Sequence, residues 1–144
     1  LVDLLKKEVL ENKKPILGIC LGMQLLTKHS EEGNLAGLGF IDAQTKKFEL
    51  QDATLKVPHM GWNHIQFAQP GFSLFNNLSA EDNRFYFVHS YAAKNAVGKT
   101  QAWSTHGEKF LAAVEDGYIS ATQFHPEKSG QAGLALLKNW VSNL

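Results

Sequence analysis

Pro15-Ile16-Leu17-Gly18-Ile19-Cys20-Leu21-Gly22-Met23-Gln24-Leu25-Leu26 is the stretch on which the fold turns. Ile16 to Ile19 is a short apolar, partly β-branched run, the pattern of a strand buried on both faces. It stops at the only cysteine in the chain. A helical pattern begins at once with Leu21, Gln24, Leu25 and Lys28. Gly18 and Gly22 stand two residues before and two after Cys20. This is the thiol counterpart of the G-x-S-x-G elbow, in which small neighbours permit a strained strand-to-helix turn that exposes a nucleophile. A thiol at a helix N-terminus also faces the positive end of the macrodipole, which favours thiolate.

The whole chain frames that stretch. Its 144 residues make one domain with an ordinary core. Fourteen basic side chains balance fourteen acidic ones, so no charged stripe points to nucleic acid. The longest apolar run, Ile16 to Leu26, is about half the length of a membrane span. A lone cysteine forms no internal disulfide, which fits a reducing, cytoplasmic setting. One cysteine with scattered histidines lacks the short ligand pairs of zinc sites, so neither a metal nor another cofactor is expected.

Working outward, Leu1, Leu5 and Val9 repeat at helical spacing and predict an amphipathic helix over 1–11, ended by Asn12-Lys13-Lys14-Pro15. The segment 29–34 reads as a polar loop and 37–41 and 45–50 as short strands. Residues 56–63 read as a loop leading into an alternating strand that ends at Gln66, and 72–78 as a turn or short helix. Arg84 to Tyr91 has strong β character. Strands at 100–104, 110–114 and 118–124 follow, joined by Gly-containing turns into a meander. Ser129 is placed to cap a last helix reaching Asn143, with an apolar face of Leu134, Leu137 and Val141 widened by Leu136 and Trp140. Helices at both ends of many strands give an α/β fold with a mixed sheet.

A cysteine nucleophile needs a base. Of six histidines, only His125 sits just past a buried strand with a carboxylate in register, in Gln123-Phe124-His125-Pro126-Glu127-Lys128. Pro126 favours extended backbone there, and residues two apart then point the same way. Glu127 can therefore hold the far ring nitrogen of His125 and fix its tautomer. Cys20 and His125 end different strands 105 positions apart (125 − 20), so the sheet must bring them together.

At this point the sequence resembles the class I, triad-type glutamine amidotransferases. GICLGMQLL is similar to their nucleophile motif and QFHPEKS to their His and Glu motif. The segments SEEG, GLGFID, KVPHMGWN and RFYFVHSYA resemble, in this order, the glutaminase subunits of imidazole glycerol phosphate synthases of histidine biosynthesis, over 14–144. The resemblance implies a mainly parallel, flavodoxin-like sheet flanked by helices. It implies Cys20 as nucleophile, His125 as acid/base and Glu127 as orienter. It also implies glutamine bound by Gln24, Glu32 and the backbone at Ser90 and Tyr91, with Leu21 N–H as an oxyanion donor. The implied partner is a separate β/α-barrel synthase subunit in a heterodimer, with Tyr86 lining the ammonia passage; Met60, Trp62 and Asn63, an aromatic-bearing segment without core periodicity, have the composition of an anchor for that interface. In the family the first strands and a glycine-rich loop holding a second oxyanion donor precede the position of Leu1. The expectation is thus a domain over 1–144 lacking them, poorly soluble or nearly inactive alone. Rival readings are a paralogous surface-polysaccharide amidotransferase, a γ-glutamyl hydrolase or cysteine peptidase of related fold, and a catalytically silent interaction subunit.

Overall fold

The computed structural model describes residues 1–67, 72–79, 83–94, 96–97 and 99–144. Helix α1 (Val2–Lys6) runs into a wider π turn (Lys7–Glu11). Strand β1 (Ile16–Ile19) then feeds helix α2 (Leu21–Leu26) through Cys20. The short strands β2 (Thr27–Ser30) and β3 (Leu35–Ala36) precede β4 (Ile41–Lys47), β5 (His59–His64) and β6 (Gln66–Phe67). A 3-10 turn (Ser73–Phe75) leads towards β7 (Arg84–His89) and β8 (Tyr91–Ala93). The meander β9 (Thr100–His106), β10 (Glu108–Asp116) and β11 (Ile119–Thr122) follows. Helix α3 (Gly130–Ser142) ends the chain.

The main sheet has the order β1-β11-β10-β9-β6. Its parallel pair is β1 with β11, in register from Ile16↔Ile119 to Ile19↔Thr122. The short turns at Gly107 and Gly117 force β9, β10 and β11 to run antiparallel. A second sheet, β3-β2-β4-β8, contains the parallel pair β2–β4, and among the described strands β5 pairs with β7 alone. The mixed α/β class is thus present, with the parallel pairings of the described strands at β1–β11 and β2–β4.

Two apolar clusters cover the two faces of the main sheet. One is rich in phenylalanine (Phe48, Phe85, Phe87, Phe110, Phe124) and takes Leu136 of α3. The other joins Val9 of the π turn and Met23 and Leu26 of α2 to Leu111, Val114, Ile119 and Ala121. Helices therefore pack on both sides, and the C-terminal ends of β1 and β11 open together at one edge of the layer.

Several expectations are corrected. Lys28 belongs to β2, because helix α2 stops at Leu26. The β-branched Thr27 ends it, its hydroxyl donating to the Gln24 carbonyl at 2.6 Å and meeting Thr45 Oγ1 at 3.0 Å. The 37–40 segment is no strand; the N–H groups of Gly37, Leu38 and Gly39 donate to carbonyls of Lys28, Leu25 and Thr27. The 59–63 segment is not a loop but strand β5, paired from His59↔His89 to His64↔Arg84. On α3, Leu134 and Val141 are exposed, and the buried side is Gly133 and Leu136. A Cβ at position 133 would lie 1.9 Å from the Pro126 carbonyl oxygen. That close approach sets the helix rotation and turns Leu134 to solvent.

Candidate active site

The elbow is as tight as the spacing implies. Cys20 has φ 53° and ψ −107°, a left-handed backbone that a non-glycine residue adopts at a cost of ~1–3 kcal/mol. Its N–H is held by the Thr122 carbonyl at 2.8 Å, which continues the β1–β11 pairing into the turn. Gly18 is required here: a Cβ on it would lie 2.9 Å from the backbone of Gly22 and from the Leu26 side chain. Gly22 itself faces open space, and nothing lies within 4 Å of the position its Cβ would take.

The sulfur is half-buried in a defined set of contacts. Its S–H donates to the Val88 carbonyl at 3.7 Å, and Gln123 Nε2 donates to Sγ at 3.6 Å. Burial pushes the thiol above its ordinary range, more than the N–H of Leu21 and the Gln123 amide pull it down; Glu127 and Glu32 push it further up. The helix start, expected to favour thiolate, is outweighed here by burial. Helix α2 has only six residues, a short dipole set against desolvation.

His125 lies three residues past Thr122, the partner of Ile19. Its Nδ1 is hydrogen-bonded to Glu127 Oε1. A carboxylate only accepts, so Nδ1 carries the proton and Nε2 is left for other chemistry. The backbone of His125 is clamped as well. Its N–H donates to the Tyr86 carbonyl at 2.9 Å, and Ser129 Oγ donates to its carbonyl at 2.6 Å. The same Ser129 hydroxyl accepts the Tyr86 N–H at 2.9 Å. Ser129 does occupy the N-cap position of α3, but its side chain makes no capping bond; the hydroxyl is committed to His125 and Tyr86.

A cleft of about 260 Å³ opens beside Cys20 and is lined by Leu21, Gln24, Glu32, His89, Ser90 and Tyr91, with Val88 beneath. All five positions expected around a substrate are on its wall. The volume falls below the ~300–1,000 Å³ of drug-sized sites and suits a small polar metabolite. Gln24 is buried and its Nε2 donates to the Tyr91 carbonyl at 3.0 Å and to Gln123 Oε1 at 3.2 Å. Gln123 thus links Gln24 to the sulfur, a role the sequence reading missed. Its one signal was its place two residues before His125 in the expected extended run; the extended backbone expected through Glu127 is corrected, because Pro126–Lys128 form a 3-10 turn.

The four surface positions divide. Met60 and Trp62 are exposed on β5, and the Trp62 ring meets Tyr86 of β7 edge-on at 6.2 Å. Asn63 points to the other side of the strand, where its Nδ2 donates to the Thr105 carbonyl at 2.9 Å. Among the described residues no group of three or more His, Cys, Asp or Glu side chains is arranged to hold a metal ion, and no helix is long and apolar enough to cross a membrane.

Comparison with known proteins places the chain in a family. The family profile "Glutamine amidotransferase class-I" matches residues 3–144. The chain is 48% identical over 145 residues to the imidazole glycerol phosphate synthase subunit HisH 2 of Methanococcus maripaludis, covering 98% of this chain and 69% of that protein. It is 45% identical to subunit HisH 1 of Campylobacter jejuni, covering 97% and 69%. With subunit HisH of Mycolicibacterium paratuberculosis it shares 48% identity, over 91% of this chain and 63% of that one. The chain thus spans about two thirds of the length of these relatives. Among solved structures, a protein of Thermoplasma acidophilum described as part of a GMP synthase superimposes with a TM-score of 0.69 at 23% identity, over 99% of this chain and 63% of that one. A glutamine amidotransferase from Thermotoga maritima gives 0.61 at 20% identity, over 96% and 50%. These two likenesses concern the fold, while the profile and the HisH relatives carry the assignment: the chain belongs to the class-I glutamine amidotransferase family.

Proposed function

We propose that this chain is the glutaminase subunit of an imidazole glycerol phosphate synthase in histidine biosynthesis, with Cys20, His125 and Glu127 as its catalytic triad. The observation that carries the reading is the convergence at the ends of β1 and β11. A strained, glycine-backed cysteine lies there beside a cleft, and the adjacent strand end delivers a carboxylate-held histidine. Similarity to the HisH subunits selects the pathway.

Glutamine enters the cleft with its α-ammonium towards Glu32 and its α-carboxylate at the Ser90–Tyr91 backbone, the Gln24 amide forming the wall between. Cys20 loses its proton to His125 Nε2 and the sulfur attacks the side-chain carbonyl carbon. The Leu21 N–H, which already faces the sulfur, donates to the developing oxyanion. Imidazolium returns the proton to the departing nitrogen, and ammonia leaves. A γ-glutamyl thioester remains on Cys20. Water, deprotonated by His125, attacks that carbonyl and releases glutamate and free thiol. The net change is glutamine plus water to glutamate plus ammonia.

The ammonia passes to a separate β/α-barrel cyclase subunit in a heterodimer. The exposed pair Met60 and Trp62, with the half-buried Tyr86 across the ladder, forms the docking face, and Asn63 supports it from behind. The test is reconstitution with the cyclase subunit of a HisH relative. Cys20→Ala should abolish glutamine-dependent synthesis of imidazole glycerol phosphate and leave synthesis from ammonium salts intact. Glutamine-dependent synthesis surviving in Cys20→Ala would overturn the reading.

A further inference from the structure

Behind the cleft, His59 of β5 and His89 of β7 are buried, at 5% and 6% exposure, and neither belongs to the triad. His59 Nδ1 and His89 Nε2 are 2.9 Å apart. At one end of this pair Asn63 Nδ2 lies 3.2 Å from His59 Nε2. At the other, His89 Nδ1 lies 2.9 Å from the Tyr91 carbonyl oxygen. The end groups settle the proton positions. The orientation of the Asn63 amide is fixed by its own contacts, Oδ1 accepting the His64 N–H at 2.7 Å and Nδ2 donating to Thr105. Nδ2 can only donate, so His59 Nε2 accepts and His59 Nδ1 carries the proton. His89 Nε2 must then accept, and its Nδ1 donates to a carbonyl that can do nothing else. Every member is satisfied with both rings neutral, and the chain runs in one direction.

Its terminus is part of the cleft. Tyr91 follows the break at Ser90 between β7 and β8, and its carbonyl also accepts Gln24 Nε2. His89 thus bridges the break from residue i to i+2, while the Ser90 carbonyl is held by Phe48 N–H at 3.2 Å. We propose that His59 and His89 are positioning residues, a one-way hydrogen-bond chain from Asn63 to the Tyr91 carbonyl that fixes the bend at Ser90 and so the glutamine-binding backbone. The role assigned to that backbone rests on the glutaminase reading above.

The surroundings keep the chain neutral. Burial first, then the fields of His89 and His106, lower His59 to about 3; burial lowers His89 to about 4 despite its bond to Tyr91, with His106 and His125 adding to the effect. The rings pack among Phe48, Phe87, Phe110 and His106, whose ring stacks on His59 at 4.3 Å. No carboxylate figures among the described groups acting on either imidazole. The strand that starts the chain also bears Met60 and Trp62, so the docking face and the cleft share one rigid support.

The test exploits the two ring nitrogens. The amide nitrogen of Asn falls near Nδ1 of the histidine it replaces, and that of Gln near Nε2. In the full chain bound to the cyclase subunit, His89→Gln should raise the KM for glutamine about tenfold, with kcat changed far less. His89→Asn, which keeps a donor for Tyr91, should recover most of that loss. A purely structural histidine predicts equal effects, and equal KM values in the two variants would overturn the proposal. A second readout needs no variant. Nitrogen-15 histidine spectra of the wild-type protein should show both rings as the neutral Nδ1–H tautomer from pH 8 to 5. The Nε2–H tautomer, which predominates in free imidazole side chains, or a mid-range titration in either ring, would equally overturn it. Absent glutaminase activity in the wild-type complex would instead strike the parent reading and leave the tautomer result standing.

Discussion

At the residue scale the site divides labour between one sulfur and the groups that hold it. Burial keeps the Cys20 proton on, and the Leu21 N–H and the Gln123 amide work against it. Alkylation of Cys20 by a small neutral haloacetamide should therefore keep accelerating at pH values above those where an exposed thiol has levelled off. Gln123→Leu removes a donor to the sulfur and should move that profile further alkaline; an unchanged profile would leave Gln123 without a role at the sulfur. General acid–base catalysis contributes ~10²–10⁴ in rate, so His125→Ala should cost glutaminase turnover within that range. Glu127→Gln should cost less, because it loosens the His125 ring without deleting it; steady-state assays of the complexed enzyme order the two. The pairing of His125 with Glu127 was expected from an extended backbone, whereas a 3-10 turn over Pro126–Lys128 is what carries Glu127 back to Nδ1. The task Ser129 performs instead of capping was not expected, since a serine before a helix is ordinarily a cap, and only tertiary structure brings Tyr86 N–H to its hydroxyl.

At the element scale the elbow separates two glycines that look equivalent in sequence. Gly18→Ala would place a methyl 2.9 Å from the Gly22 backbone. Overpacking of that kind costs ~1–3 kcal/mol, and denaturant titration should find a loss of that size. Gly22→Ala meets open space in a helix and should be neutral or slightly stabilising. Equal losses at both positions would mean that symmetric small flanks, not close approach at Gly18, define the turn. Strand β1, the meander and the existence of the last helix were legible because apolar period and turn residues agree there. Strand β5 was not: its inward residues include His59 and Asn63, polar groups satisfied by one another, so the alternation is hidden from a hydrophobic reading. The short α2 was overextended for a related reason. Leu25 and Lys28 continue the helical spacing, whereas the Thr27 hydroxyl, meeting Thr45 from a distant strand, decides where the helix ends.

At the scale of the whole molecule, the buried histidines couple stability to pH, and the proposed docking face on β5 and β7 is to be tested against a partner. The folded state holds His59 at about 3 and His89 at about 4, below the ~6.5 of an unfolded histidine. Between those values the unfolded chain binds more protons, so stability rises with pH there. It should be level in this respect above about pH 6.5 and decline as pH falls towards 3. Denaturant midpoints at pH 7 and 5 measure the slope, and the His59→Asn, His89→Asn double variant should flatten it. Trp62→Ala should weaken binding of the cyclase subunit in titration calorimetry and leave haloacetamide alkylation of Cys20 unchanged. Unchanged affinity would remove Trp62 from the docking face. Beneath both lies one chemical requirement of the proposed function: a covalent bond between Cys20 and the glutamine side-chain carbon. Incubating the protein with a glutamine-like chloroketone and mapping the adduct by mass spectrometry tests that bond. One adduct per chain is expected, on Cys20, slowed by excess glutamine. Labelling on any other residue, or labelling of Cys20 indifferent to glutamine, would contradict it.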